Sequence, residues 1–207
     1  MHFVQKIGWL LVTLLPASAL GQSIMVHAGG NVSQPRTSHL VGDVGPYPGY
    51  QWGYTWVADT LARRADLLPY IRIEIMQRGY SQRIETASYQ ARFSSLTAGG
   101  GLLYHPHPFV ALGLGIDVGL LFQAKIKSPG QPNKTGVLST YRSVTLDGRF
   151  IVMLNRGKTI QPYVSVLHAL RASLEYPRVD PVGNFHGTLH DLWPRTVQVG
   201  VHVLLYQ

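Results

Sequence analysis

Nine charged residues are set among apolar neighbours at spacings that bring them onto one side of extended chain. Arg72, Glu74 and Arg78 alternate with Ile71, Ile73 and Ile75, and Asp147 and Arg149 lie between Leu146 and Phe150. Asp117, Arg171 and Glu175 occupy equivalent places in other segments, and Arg92 sits in a less regular one. Successive side chains on a strand point to opposite faces, so this spacing gathers the charges on a common face behind hydrocarbon. Charges taken out of water persist only when paired and hydrogen-bonded. The chemistry expected of the set is therefore mutual ion pairing, with Glu74, Asp117 and Asp147 neutralised by the arginines. A polar relay or narrow ion path is the functional alternative for the same residues.

Other chemistries have weaker support. Ser165, His168, His202 and Asp147 could be written as a hydrolytic triad, but His168 has the apolar parity and no nucleophile elbow selects a serine. His105 and His107 flank prolines in what reads as a turn. His186 and His190 have helical ligand spacing inside a glycine-containing loop, so no metal site is expected. Gly99-Gly-Gly101 and Gly113-x-Gly115 fall within strands, where glycine marks bends and close packing rather than a phosphate loop. Asn31-Val-Ser33 and Asn133-Lys-Thr135 match a glycosylation sequon, which carries little weight if the source is bacterial. No catalytic residue, cofactor or metal is assigned.

The elements that must position the charges are strands. Phe109–Lys125 has apolar residues at every even position from Val110 to Ala124, while its odd positions include Gly113, Gly115, Asp117, Gly119 and Gln123. Period-2 patterning predicts eight strands, near 23–32, 50–62, 67–82, 89–104, 109–126, 141–154, 160–175 and 195–206. In the fourth the faces must exchange near Ser94-Ser95. A β-bulge there would turn Arg92 inward with the other charges. Short connections at 63–66, 105–108 and 155–158 alternate with longer ones at 33–49, 128–140 and 176–194, with a modest one near 83–88. Short turns on one side and long loops on the other are the habit of outer-membrane barrels.

Tyr50, Trp52, Tyr54, Trp56, Tyr70, Tyr104 and Trp193 are expected to form the aromatic girdles of such a barrel. A soluble lipocalin-like barrel also alternates, with its apolar face inward. Its solvated exterior would be dense in charge, whereas 14% of this chain is charged and the polar faces are mostly Gly, Ala, Ser and Thr. The continuous apolar face would aggregate in water. The expected fold is therefore all-β, an eight-stranded antiparallel up-and-down transmembrane β-barrel.

Residues 1–21 read as a cleaved secretory signal peptide: Lys6, an apolar run from Ile7 to Leu15, then small residues to Gly21. That run is shorter than the roughly 20 residues a membrane helix needs. Residues 22–207 form the barrel domain, and export followed by residence in the outer membrane is the expected address. The chain carries 18 basic and 10 acidic residues, net +8, with the basic ones scattered. Nucleic-acid recognition needs a clustered patch, and none is present. Cysteine is absent, which excludes disulfides and a lipidated N-terminal anchor.

In the glycine-rich segment holding Asp117, in Val144–Phe150, in Pro162–Leu170 and in the closing Arg195–Tyr206, the chain resembles the PorT-like outer-membrane β-barrel proteins of Bacteroidota. More broadly it resembles small eight-stranded barrels. The resemblance implies a non-enzymatic membrane protein with a role in envelope structure, adhesion or a secretion or gliding assembly. The partners it implies are outer-membrane lipid, the barrel-assembly machinery and other envelope proteins. Barrels of this kind commonly end in an aromatic residue, and here Tyr206 precedes a final Gln207. A lipid-modifying enzyme of the same fold and a soluble periplasmic binding barrel are the alternatives.

Overall fold

The computed structural model describes residues 22–36, 43–58, 67–130, 135–136, 144–155, 158–170, 174–179 and 185–206. Residues 1–21, read above as a signal, and Arg171 lie outside these. Ten strands are described: β1 (Gln22–Arg36), β2 (Asp43–Ala58), β3 (Leu67–Ile84), β4 (Ala87–His107), β5 (Val110–Lys127), β6 (Thr135–Gly136), β7 (Val144–Leu154), β8 (Ile160–Ala169), β9 (Leu174–Val179) and β10 (Phe185–Tyr206). Eight of them, β1-β2-β3-β4-β5-β7-β8-β10, pair antiparallel in sequence order, and β1 pairs with β10 to close the ring. Closure leaves no open edge in the wall, so every strand of the ring has neighbours on both sides. The two short strands lie off the ring, β6 on β5 and β9 on the extended end of β10.

The alternation of the sequence becomes the two faces of the wall. On β5, Leu114, Ile116, Val118, Leu120 and Phe122 are exposed, whereas Ala111, Asp117 and Leu121 are buried. On β10, Val197, Val199, Val201 and Leu205 face out, and Thr196, Gln198 and His202 are buried. The same division holds on β3, β7 and β8, so the ring carries an apolar belt outside and its polar residues inside.

Several connections differ from the sequence expectation. The segment 33–49, read as a loop, is largely strand, because β1 continues to Arg36 and β2 begins at Asp43. Pro46 and Pro48 suggested a turn, but β2 accommodates this stretch through a register shift against β3 between Pro46 and Gln51. The 176–194 region likewise holds β9 and the first part of β10. His105 and His107 belong to β4, and the turn is Pro108-Phe109.

The irregularity expected near Ser94-Ser95 lies at that level but on the other strand. Ser94 faces Gln123 and Ser95 faces Leu121, so the additional residue is Phe122 of β5. Consequently β4 keeps odd residues inward throughout Ala91, Phe93, Ser95 and Thr97.

Candidate functional site: a layered lumen

Several of the large side chains inside the ring stand opposite glycines. Arg72 faces Gly99 and Tyr70 faces Gly101 on β4. Glu74 faces Gly53 on β2, Arg149 faces Gly115 on β5, and Tyr163 faces Gly200 on β10. A Cβ added at Gly99 would collide with Asp117, one at Gly115 with the Tyr70 hydroxyl, and one at Gly53 with the backbone of β3. The glycine-rich strands are thus shaped by what packs over them. Eight strands leave only a narrow interior, and glycine is how this wall accommodates arginine and tyrosine inside it.

Arg149 is the hub. Its Nε donates to Asp117 Oδ2 at 2.6 Å, and its Nη2 donates to Glu74 Oε1. Its Nη1 donates to Gln198 Oε1 at 2.7 Å and to Ser165 Oγ at 3.2 Å. Glu74 Oε2 accepts from Arg72 Nη2 at 2.6 Å and Nε at 3.0 Å, and lies 3.3 Å from His27 Nε2. Asp147 stands directly across from Asp117 in the ladder, a like-charged pair that is unfavourable by itself. Each acid has its own arginine, because Arg78 Nη2 donates to Asp147 Oδ2 at 2.7 Å. Three arginines and three carboxylates therefore make a cluster with no formal charge.

Neutral groups extend the network around the ring. Tyr163 Oη accepts from Arg72 Nη2 at 3.3 Å and Gln51 Nε2 at 3.2 Å, and the Arg72 guanidinium lies 5.3 Å from the Tyr163 ring centroid. His27 and His202 pack with ring centroids 5.3 Å apart, and Thr55 Oγ1 lies within reach of both. Met76 Sδ accepts from Arg78 Nε at 3.1 Å and from Gln198 Nε2 at 3.2 Å.

Apolar clusters bound this layer at both ends. Toward the short turns, Met25, Val57, Leu68, Tyr70, Leu103, Ala111, Ile151, Met153 and the ring of Tyr163 pack together, with Leu204 against them. Toward the long connections, Tyr80, Ala91, Phe93, Leu121 and Ala124 pack with Val44 and Ile126. Tyr80 and Phe93 stack at 5.9 Å between centroids. The second cluster is drawn from β2 to β5, while Asn31, Ser33 and Thr196 are buried on β1 and β10; the six charged side chains lie between the two clusters and are buried.

This wall has counterparts among solved structures. Ail, the attachment invasion locus protein of Yersinia pestis, solved with the heparin analogue sucrose octasulfate, is 14% identical with a TM-score of 0.52; the match covers 89% of this chain and 99% of that one. Neisserial surface protein A is 14% identical with a TM-score of 0.55, over 88% of this chain and 98% of that one. The fold is that of small eight-stranded outer-membrane barrels. No family model matches the sequence, and no match is found among curated proteins.

Of the charged residues read from sequence, Arg72, Glu74, Arg78, Asp117, Asp147 and Arg149 meet in this barrel's lumen. Arg92 does not. With the additional residue on β5, Arg92 stays on the face away from buried Phe93, opposite Gly79 and exposed Lys125. Its Nε donates to the Tyr47 hydroxyl, and its guanidinium lies 5.1 Å from that ring's centroid. Glu175 and Trp193 are strand residues described by their backbone alone.

The aromatic set divides in the same way. Tyr50, Trp52, Tyr54 and Tyr104 are exposed on the outer face and Trp56 is half-buried. Tyr50 to Trp56 run along one strand over about 20 Å, a vertical stripe rather than part of a ring at one height. Tyr70 is a correction: it is buried in the short-turn apolar cluster, not in a girdle. It shares parity with Arg72 and Glu74, which was the signal to follow. The triad residues stay apart, since His168 faces outward while Ser165 bonds Gln198 and Asp147 bonds Arg78. His27, Gln51, Thr55, Tyr163 and Gln198 were not singled out by charge, though each lies on an inward parity.

Proposed function

We propose that the chain is an integral outer-membrane protein that works as a sealed, non-enzymatic barrel, through its wall and its long-connection end rather than through a channel. The observation that carries this reading is the paired, buried ion cluster that fills the lumen, with apolar clusters on either side of it. Among the described residues, the charged groups of such a lumen are spent on one another rather than presented to a solute. Membrane residence rests on the outer belt, where Leu114, Ile116, Val118, Val199, Leu205 and their neighbours are exposed around the ring. A hydrocarbon band of this extent needs lipid to cover it.

Export by the 1–21 signal and insertion by the barrel-assembly machinery accompany this reading. A role in envelope structure, in adhesion, or in a secretion or gliding assembly of the PorT kind follows from the sequence resemblance and from the fold. The test is cell fractionation with heat-modifiable gel mobility. A detergent-dependent outer-membrane band that shifts on boiling is expected, and a freely soluble band would overturn the reading.

A further inference from the structure

The outer face changes character sharply along β3, β4 and β5. Ile75, Leu96 and Leu120 stand side by side in the ladder as the last full apolar row, and Phe122 lies just beyond. The next row is Gln77, Ser94 and Gln123, and the one after it is Gly79, Arg92 and Lys125. Lys127 follows on the same face, opposite Gln90. Lys125 and Lys127 are exposed and Arg92 is half-exposed, its guanidinium held by Tyr47. Arg92 and Lys125 are direct cross-strand neighbours of like charge, an arrangement that is unfavourable without an anion.

No carboxylate whose side chain is described supplies that anion. Among residues whose side chains are described, the acids are Glu74, Asp117 and Asp147 in the lumen, and Asp43 and Glu85 at strand tips. Asp43 stands opposite Arg83, and Glu85 sits in the β3–β4 turn beyond Ile84. The cations lie about 13 Å along the strand from the last apolar row, past the amides of half-exposed Gln77 and exposed Gln123. Hydrocarbon, hydrogen-bonding groups and then cations follow one another in the order in which a lipid presents its chains, its polar linkage and its phosphate. Long basic side chains at such an edge can reach back toward the interface.

We propose that Arg92, Lys125 and Lys127 form a site on the outer wall that binds the phosphate headgroup of a membrane lipid at the long-connection end. The proposal rests on the membrane reading above and names the lipid chemistry this part of the wall selects. A lipid is favoured over a free phosphate because the three cations face outward beside the belt, where the lipid's chains would lie against Leu96, Leu120 and Phe122.

The test uses the full mature chain in phosphatidylcholine vesicles, with spin-labelled phosphatidic acid and spin-labelled phosphatidylcholine as probes of lipid held at the wall. Each cation at a membrane surface favours an anionic lipid by roughly fivefold at low salt. Wild type should therefore prefer phosphatidic acid severalfold, and 1 M NaCl should abolish most of that preference. The triple variant Arg92→Gln, Lys125→Gln, Lys127→Gln should bring the two lipids close to parity, whereas Arg83→Gln should leave the preference unchanged. No preference in wild type, or an equal preference in the triple variant, would overturn the site. Displacement of the lipid by millimolar glycerol phosphate would overturn the assignment to lipid. Salt dependence in wild type decides the matter even if the triple variant does not assemble. Failure of wild type to enter vesicles in a heat-modifiable form would instead overturn the membrane reading itself.

Discussion

The two faces of β5 are built from the same alternating strand yet are specified very differently. Outward, Leu114, Ile116, Val118 and Leu120 need only be apolar, and neighbouring lipid adapts to their shape. Inward, Gly113, Gly115, Asp117 and Gly119 each answer to a particular partner: Ile151, Tyr70, Arg149 and Thr145. Composition suffices outside, whereas inside a single residue can strand a charge or close a gap. Substitutions on the two faces should therefore differ in kind.

The largest effect belongs to the hub. Arg149→Met leaves Glu74 and Asp117 buried beside each other with one arginine fewer, and breaking a buried pair costs about 3–5 kcal/mol. A matching loss in urea-unfolding free energy of the vesicle-inserted protein is expected. An effect no larger than that of an outward Leu→Val change would break the contrast between the faces.

The outward face has its own sensitivity, which depends on depth. Ile116→Arg, in the middle of the β5 belt, should cost about 2–4 kcal/mol, and Phe122→Arg, at its edge, about 0–1 kcal/mol by the same measurement. Equal costs at the two positions would mean that the belt does not lie across a bilayer.

These contrasts also show how far the sequence could be read. The wall was legible because parity is local: Val197 to Leu205 and Leu112 to Phe122 each declare their two faces unaided. The strand ends were less so. Pro46, Pro48 and Pro177 resemble turn residues locally, and only pairing with neighbouring strands reveals them as strand. The Ser94 irregularity was visible as a break of period, but one strand's period cannot say which member of a pair carries the additional residue. That ambiguity misplaced Arg92. Partner choice inside the lumen was the least legible part, since Arg149 meets Glu74 across 75 residues and Gln198 across 49 only when the ring closes.

Smaller effects sharpen the account of the glycines and the polar layer. Gly99→Val puts branched carbon against Asp117 and should cost about 1–3 kcal/mol, read as a lowered urea midpoint and a smaller heat-modifiable fraction. Tyr163→Phe removes the acceptor of Arg72 and Gln51 and should cost about 1–2 kcal/mol in urea unfolding. Tyr70→Phe deletes a buried hydroxyl that has no hydrogen-bond partner among the described residues, so it should be neutral to within about 0.5 kcal/mol. Equal losses at the two tyrosines would contradict the distinction between a hydroxyl that joins the polar network and one that does not.

The sealed lumen is the central claim, and planar-bilayer recording of the purified, refolded full-length barrel tests it most directly. The paired, buried ion cluster filling the lumen predicts a silent membrane with no stable open level at moderate voltage. A large, steady open state would contradict it.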